Sequence, residues 1–252
     1  MKKISLIICI ACCIHFACNA QLFIDKATIE FEVKTNVKKT IGGGMWAEMM
    51  KENMPQFKTG YYKYTFSGSK SVYKFDRWDE KGKVPEFMRR DDEQSTYFFD
   101  HASNKLYQQK SIVGSEFLVQ DSLPKINWRL TNESRLIAGF NCRKAVGIIQ
   151  DSVYVFAFYT DEIIIPGGPC TINGLPGMIL GLTIPRMYTS YIATKVIVTA
   201  VDETILQPFT AKKYSTRQAL KAMISERAKE WSNDEDEDSK AWKNQFIWNA
   251  LL

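Results

Sequence analysis

The stretch that decides the fold is Tyr62–Phe75, which reads YKYTFSGSKSVYKF. Aromatic residues alternate with polar ones on both sides of a Ser-Gly-Ser turn at residues 67–69. Alternation with a period of two puts one set of side chains on one face of a β-strand. Two such runs around a short glycine-containing turn are typical of a hairpin. The stretch therefore predicts two antiparallel strands that share an aromatic face.

The same alternation extends along most of the chain. Ile29, Phe31 and Val33 alternate with polar residues, and further runs predict strands at 96–100, 105–109, 117–120 and 191–201. The run 148–159 is nearly all apolar, which predicts a strand buried on both faces or central in a sheet. Helical segments do not recur between these strands, so a parallel βαβ sheet is disfavoured.

The fold class that follows is mainly β (α+β), with a strongly curved antiparallel sheet or half-barrel and a C-terminal helix. The strand count expected from the runs is roughly eight to ten. Ser215 and Gln218 have the spacing of a capping box, and the apolar stripe behind them predicts a helix that ends near Trp231. A last amphipathic helix is expected after Ser239.

Residues 1–20 have the anatomy of a signal peptide. Lys2 and Lys3 precede an apolar stretch, Ile4–Ile14, and small residues lead to a cleavage site after Ala20. The apolar stretch is about half of the roughly 20 residues that a membrane span needs. We expect secretion across the inner membrane to the periplasm or the outer membrane, with soluble processing favoured over a lipoprotein acylated at Cys18. The domains would be this segment, a single β-rich domain at 21–232, and an acidic linker with a short helix at 233–252.

The composition excludes several classes of protein. With 45% hydrophobic residues and a formal net charge of +5, the chain is an ordinary globular one and lacks the concentrated basic face that nucleic acid requires. After removal of residues 1–20, His101 is the single histidine, and no set of metal ligands or cofactor motif is present. We therefore predict no catalytic residues, no metal and no cofactor, and no transmembrane span after signal removal.

Four of the six cysteines lie in residues 1–20, which leaves Cys142 and Cys170. Two cysteines in an oxidising compartment favour one disulfide. The alternative is two separate buried thiols, because the sequence contains no information about the distance between them.

The most informative segment is the triplet Leu175-Pro176-Gly177 with its flanking residues. Proline at the second position and glycine at the third predict a type II turn in which Gly177 has positive φ. A tight turn that packs over a sheet end is one interpretation, and a binding loop is the other.

The segment Gly174–Ile179, GLPGMI, resembles the signature of the GLPGLI family of exported proteins from Gram-negative bacteria. The order of Trp128, the run 137–145 and the aromatic strand ending at Thr160 supports the resemblance. The resemblance implies a secreted β-rich protein of unknown activity, connected with outer-membrane receptors and nutrient uptake. The candidate binding residues are those of the motif loop: Gly168, Pro169, Gly174, Leu175, Pro176 and Gly177.

Three functions are left open. The first is a carrier or binding module for an apolar small molecule, lipid or peptide. It is suggested by the large number of aromatic residues, which include Tyr62, Tyr64 and Tyr73. The second is an accessory protein of an outer-membrane receptor or surface assembly that adds a strand through an exposed sheet edge. The third is a hydrolase that uses carboxylates such as Asp161 and Glu162.

Overall fold

The structure is a computed structural model that describes residues 23–42, 45–231 and 237–252. The predicted signal peptide, residues 1–20, lies outside the described residues. So does most of the predicted acidic linker, because residues 232–236 are not among those described.

The described residues form one sheet in which all strands are antiparallel to their neighbours. Its strands are β1 (Lys26–Asn36), β2 (Phe57–Ser67), β3 (Lys70–Trp78), β4 (Thr96–Asp100), β5 (Lys105–Ile112), β6 (Ser115–Ser122), β7 (Arg129–Ile137), β8 (Phe140–Ile149), β9 (Val153–Thr160), β10 (Met178–Ile184) and β11 (Thr189–Ile197). Their order is β6-β5-β4-β3-β2-β1-β11-β10-β9-β8-β7, so the sheet is open. The mainly-β prediction is confirmed.

Helices are few and lie around the sheet. They are α1 (Val37–Thr40), α2 (Met45–Asn53), α3 (Arg90–Glu93), α4 (Arg217–Trp231) and α5 (Glu237–Leu251). The predicted C-terminal helix is present as α4, but its cap is Thr216, whose Oγ1 accepts from the Ala219 N–H at 3.1 Å. Ser215 instead pairs with β6, since its N–H donates to the Leu118 carbonyl at 2.8 Å. The capping-box assignment of Ser215 was therefore wrong by one residue.

The predicted hairpin is confirmed as β2 and β3, which pair from Ser67 and Lys70 outward across Gly68. Tyr64, Phe66 and Tyr73 are almost completely buried on the same face. The period-two pattern identified this face because side chains that point into the core alternate along a strand with side chains on the other face of the sheet.

The run 148–159 is two strands rather than the single strand expected. β8 ends at Ile149 and β9 begins at Val153, with Gln150 and Asp151 both at positive φ in the turn between them. The turn consists of three polar residues, 150–152. Because apolar residues lie directly before and after it, the sequence pattern did not separate the two strands.

The two edges of the sheet differ. β6 receives a short parallel segment at Ser215, whereas β7 has β8 as its strand partner among the described residues and exposes Leu130 and Leu136. β7 nevertheless approaches β11, although β8, β9 and β10 lie between these two strands in the sheet order. Ile137 of β7 also packs over Gly181 of β10. The sheet therefore bends strongly at this end.

The segment 161–177, here called the covering loop, packs on the aromatic face. Its Ile163, Ile172 and Leu175 are buried in the same core as Tyr64. The backbone approaches so closely at Gly167 that a Cβ there would overlap the Tyr64 hydroxyl. Trp128 holds the loop from the other side, because its Nε1 donates to the Asn173 carbonyl at 3.0 Å. The tight-turn interpretation thus describes the packing of this segment.

Gly177 has a φ of +132°, positive as the sequence predicts. The hydrogen bond of the turn differs from a type II turn: the Gly177 N–H donates to the Leu175 carbonyl at 2.8 Å, and the Met178 N–H donates to the Ile163 carbonyl. Pairing of Met178 with the covering loop replaces the bond that would have closed a four-residue turn.

The expected disulfide is absent: Cys142 and Cys170 are both free and buried. Cys142 lies in β8 and its thiol donates to the Phe140 carbonyl at 3.5 Å, while the Cys170 thiol contacts the Tyr191 hydroxyl at 3.7 Å. The prediction was wrong because compartment and number of cysteines do not fix geometry, and each thiol has its own partner.

No helix in the part of the chain that the structure describes combines the length and the apolar character needed to cross a membrane.

We expect Gly177→Ala to destabilise the protein by about 2 kcal/mol more than Gly174→Ala. Both glycines have positive φ, at +132° and +89°, but a Cβ at Gly177 would overlap the Thr160 carbonyl oxygen. At Gly174 the nearest atom is Trp128 Nε1 at 3.9 Å. Urea unfolding of the two variants measures the difference, and equal losses would contradict the packing described for the covering loop.

Candidate functional site

A partly open pocket of about 230 Å³ lies on the aromatic face of the sheet. Four tyrosines line it, and we call it the tyrosine pocket: Tyr62 from β2, Tyr73 from β3, Tyr97 from β4 and Tyr191 from β11. All four side chains are buried. The pocket is therefore built from four strands and does not depend on a single loop.

The strand register brings these rings together. Tyr73 is paired with Tyr97 across β3 and β4, and their ring centroids are 5.8 Å apart. Tyr62 stacks on Tyr73 at 5.3 Å with an interplanar angle of 8°. Such contacts hold large side chains in fixed positions and leave their polar tips available.

Asp92 of α3 supplies the charge at the mouth. Its carboxylate accepts from the Tyr62 hydroxyl and from Lys58 Nζ, each at 2.6 Å. Burial and this carboxylate raise the pKa of Tyr62 well above its ordinary value. Because Asp92 is half-buried and doubly bonded, it orients Tyr62 and Lys58 toward the pocket.

Asp91 fixes the short helix α3 to the sheet. Its carboxylate accepts from the Ser111 hydroxyl and the Val113 N–H, both at 2.8 Å, and from the Gly114 N–H at 3.2 Å. The helix is only four residues long, so these side-chain bonds place Asp92.

Lys110 of β5 is buried at the side of the pocket. Its Nζ donates to the Tyr97 hydroxyl at 2.9 Å and to the Asn249 carbonyl of α5 at 3.2 Å. Burial lowers the pKa of Lys110 to about 8. The last turn of α5 closes this side of the pocket, and a cation near a helix C-terminus is favourable there.

Tyr73 has a buried hydroxyl that the fold leaves poorly satisfied. It makes no hydrogen bond of ordinary geometry, and the Cys170 thiol, which contacts Tyr191, interacts with it only weakly. Burial raises the pKa of the Cys170 thiol to about 11 and that of Tyr73 well above its ordinary value. Both groups are thus neutral near pH 7, and Cys170 is a poor nucleophile.

The predicted motif loop does not surround this pocket. Gly168, Pro169, Leu175 and Gly177 are buried, and among the loop residues it is Cys170 that lines the tyrosine pocket. The two motif residues that are exposed are Gly174 and Pro176. Binding by the motif loop stays a prediction.

The candidate carboxylates Asp161 and Glu162 do not form an acid–base pair in a cleft. Asp161 is exposed and makes an ion pair with Arg143 at 2.7 Å. Within residues 23–42, 45–231 and 237–252, no three His, Cys, Asp or Glu side chains come together as a metal site would require.

The sequence interpretation missed Lys110, Asp92, Tyr97 and Tyr191. One signal was present for Lys110: continuing the alternation from Leu106 assigns it to the buried face, where an unpaired lysine is unusual. Asp92 gave no signal because it lies in a run of charged residues, 89–93, whose members are individually indistinguishable.

A family model described as "N-glycanase peptide, N-terminal domain" matches residues 89–218. This finding overturns the GLPGLI assignment, which was wrong. The matched range includes Gly174–Ile179, and in this fold that segment is a packed turn leading into β10. A short apolar motif with glycine and proline reflects packing demands that different families share.

Among solved structures, PNGF-II in the C2 space group is similar, with 16% identity and a TM-score of 0.50 over 89% of this chain. PNGF-II in the P21 space group has 15% identity and a TM-score of 0.49, with 76% of this chain and 32% of that one covered. An uncharacterized conserved protein from Thermus thermophilus has 9% identity and a TM-score of 0.37, with 75% and 88% covered. No curated protein matches the chain.

The match to PNGF-II in the C2 space group shows a shared fold. The chain spans 33% of that protein's length.

We expect Lys110→Met to change how stability depends on pH. The Lys110 pKa is about 8 in the folded protein against 10.5 ordinarily. The unfolded chain therefore binds more protons between these values, and wild-type stability rises with pH there. From roughly pH 7.5 to 9.5 the wild type should gain about 2 kcal/mol relative to Lys110→Met.

Urea unfolding at a series of pH values measures this gain. Lys74→Met, at an exposed position of β3, is the control and should keep the wild-type slope. Parallel pH profiles for the wild type and Lys110→Met would contradict the buried position of the ammonium.

Proposed function

The chain belongs to the family of the N-glycanase peptide N-terminal domain, whose model matches residues 89–218, and on this premise we propose that it is a glycan-binding accessory module. Its ligand would be one sugar unit, held in the tyrosine pocket. Since the chain spans a third of PNGF-II, the proposal is confined to binding and does not extend to cleavage.

The observation that carries the proposal is the poorly satisfied Tyr73 hydroxyl in the lining of the pocket, which makes no hydrogen bond of ordinary geometry. A buried polar group without a partner is costly, and a ligand hydroxyl or carbonyl would satisfy it. Val33 and Trp78 add apolar surface to the lining of the same pocket. A sugar ring has both features, because C–H groups form one face and hydroxyls form its rim.

The polar groups around the floor also suit a sugar. Lys110 supplies an N–H donor, and the Asp92 carboxylate with Lys58 stands at the mouth. The volume, about 230 Å³, lies below the roughly 300–1,000 Å³ of pockets for drug-sized ligands, so a single ring is favoured over a long chain.

The other sequence hypotheses receive less support from this geometry. A buried ammonium is unfavourable beside a purely apolar ligand or lipid, since it would gain no hydrogen bond. The exposed edge of β7 is suited to strand addition, and docking to an outer-membrane receptor stays a prediction.

We expect wild-type protein to bind N-acetylglucosamine and Tyr73→Phe to bind it roughly 3- to 10-fold more weakly, the value of one hydrogen bond. Because the Tyr73 hydroxyl has only a weak contact with the Cys170 thiol in the fold, its removal should leave folding stability unchanged or higher. Isothermal titration calorimetry and urea unfolding measure the two effects.

Tyr64→Phe is the matched control. Tyr64 is equally buried but outside the pocket, and its hydroxyl bonds with Ser71 Oγ at 2.6 Å. This variant should lose stability and keep its affinity. Absence of saturable sugar binding in the wild type, or unchanged affinity in Tyr73→Phe, would refute the proposal.

Export is the second part of the proposal and is supported by the signal-peptide anatomy of residues 1–20. Expressed in a Gram-negative host, the protein should be recovered from the periplasmic or membrane fraction with Gln21 as its first residue. N-terminal sequencing tests this, and an intact Met1 on cytosolic protein would contradict it.

A further inference from the structure

Four buried polar atoms of the described residues outside the tyrosine pocket also lack hydrogen-bond partners, and two of them, Arg217 Nη1 and Gln150 Oε1, belong to residues that lie together. Both residues line a second pocket of about 410 Å³. It lies between the loop 124–127, the β8–β9 turn and the start of α4, and we call it the arginine pocket. One orphan is a donor and the other an acceptor, so the two demands are complementary.

Arg217 needs an anion. Its Nη2 donates to the Leu251 carbonyl and its backbone N–H to Asp121 Oδ2, each at 3.0 Å. Its guanidinium makes no ion pair with a carboxylate of the described residues. Asp121 accepts from the Arg217 backbone N–H and attracts the guanidinium from beyond ion-pair distance, so this largely buried charge is only partly compensated and an anionic group at Nη1 would be favoured.

Gln150 needs a donor. Its Nε2 donates to the Trp248 carbonyl at 3.2 Å, which fixes Oε1 as the atom left without a partner. Gln150 and the next residue, Asp151, have φ of +47° and +68°, a conformation that residues other than glycine rarely adopt.

We propose that the arginine pocket binds a carboxylate with a hydroxyl beside it, as in a uronic acid. The carboxylate accepts from Arg217 Nη1, and the neighbouring hydroxyl donates to Gln150 Oε1. The volume favours a sugar-sized ligand over a small hydroxy acid, because it lies within the roughly 300–1,000 Å³ of pockets for drug-sized molecules. The rest of the polar lining consists of Lys125, Asp151, Asn127 and Thr171, of which the first two carry one charge of each sign.

This site is separate from the tyrosine pocket and goes beyond the proposed function. The two lining sets share no residue. Either proposal can therefore fail while the other stands.

The experiment is a titration of the full chain with D-glucuronate, D-glucose, acetate and lactate, followed by calorimetry or NMR. Glucuronate should bind about tenfold or more tightly than each of the other three, because it alone combines the charge, the hydroxyl and the size. Equal affinity for glucose, which has no carboxylate, would contradict anion binding by Arg217. Equal affinity for lactate would assign the site to small hydroxy acids. Either result, or no binding of glucuronate, overturns the proposal.

Gln150→Glu tests the site in the protein itself. The new carboxylate keeps the length of the side chain, compensates the charge of Arg217 and repels the ligand, so glucuronate affinity should fall about tenfold or more. The bond from Gln150 Nε2 to the Trp248 carbonyl is lost with the amide, so circular dichroism first checks that the variant is folded. Gln207→Glu is the matched control, because Gln207 is exposed and lines neither pocket, and its glucuronate affinity should equal that of the wild type.

Arg217→Lys provides a second variant should Gln150→Glu fold poorly. It keeps the positive charge but withdraws the forked donor, and glucuronate affinity should again fall by about tenfold. Wild-type affinity in either folded variant overturns the assignment of these residues.

Discussion

An aromatic sheet face that has to be covered is the constraint on which the rest of the structure depends. The inward residues of the central strands, such as Phe31, Tyr64 and Phe99, are almost completely removed from solvent. An open sheet cannot bury such a face by itself, so other parts of the chain must pack on it. The covering loop does so at one end and α5 at the other, and the tyrosine pocket remains between the sheet and α5.

The covering loop meets this demand through its backbone as much as through its side chains. Gly167 lies against Tyr64, and Gly177 lies against Thr160 where no Cβ fits. The sequence motif that suggested a ligand loop thus contains glycines where the chain touches itself. The two exposed motif residues, Gly174 and Pro176, are the outer surface of that packing.

Helix α5 is attached to β5, to α4 and to the β8–β9 turn through two cations and an amide that contact its last carbonyls. Lys110 contacts Asn249, Arg217 contacts Leu251 and Gln150 contacts Trp248. Each of these three side chains also faces one of the two pockets. Occupancy of either pocket is therefore physically connected to the docking of α5, because the same polar groups serve both contacts.

The sequence by itself determined the β2–β3 hairpin and its buried face, because a period of two is a local property that Tyr62–Phe75 carries in full. It also determined the sign of φ at Gly177. Only the tertiary structure decided the pocket, the free state of Cys170 and the partner of Lys110. Those features join residues from distant strands and from α5, and their contacts follow from strand order and sheet curvature, which no local pattern encodes.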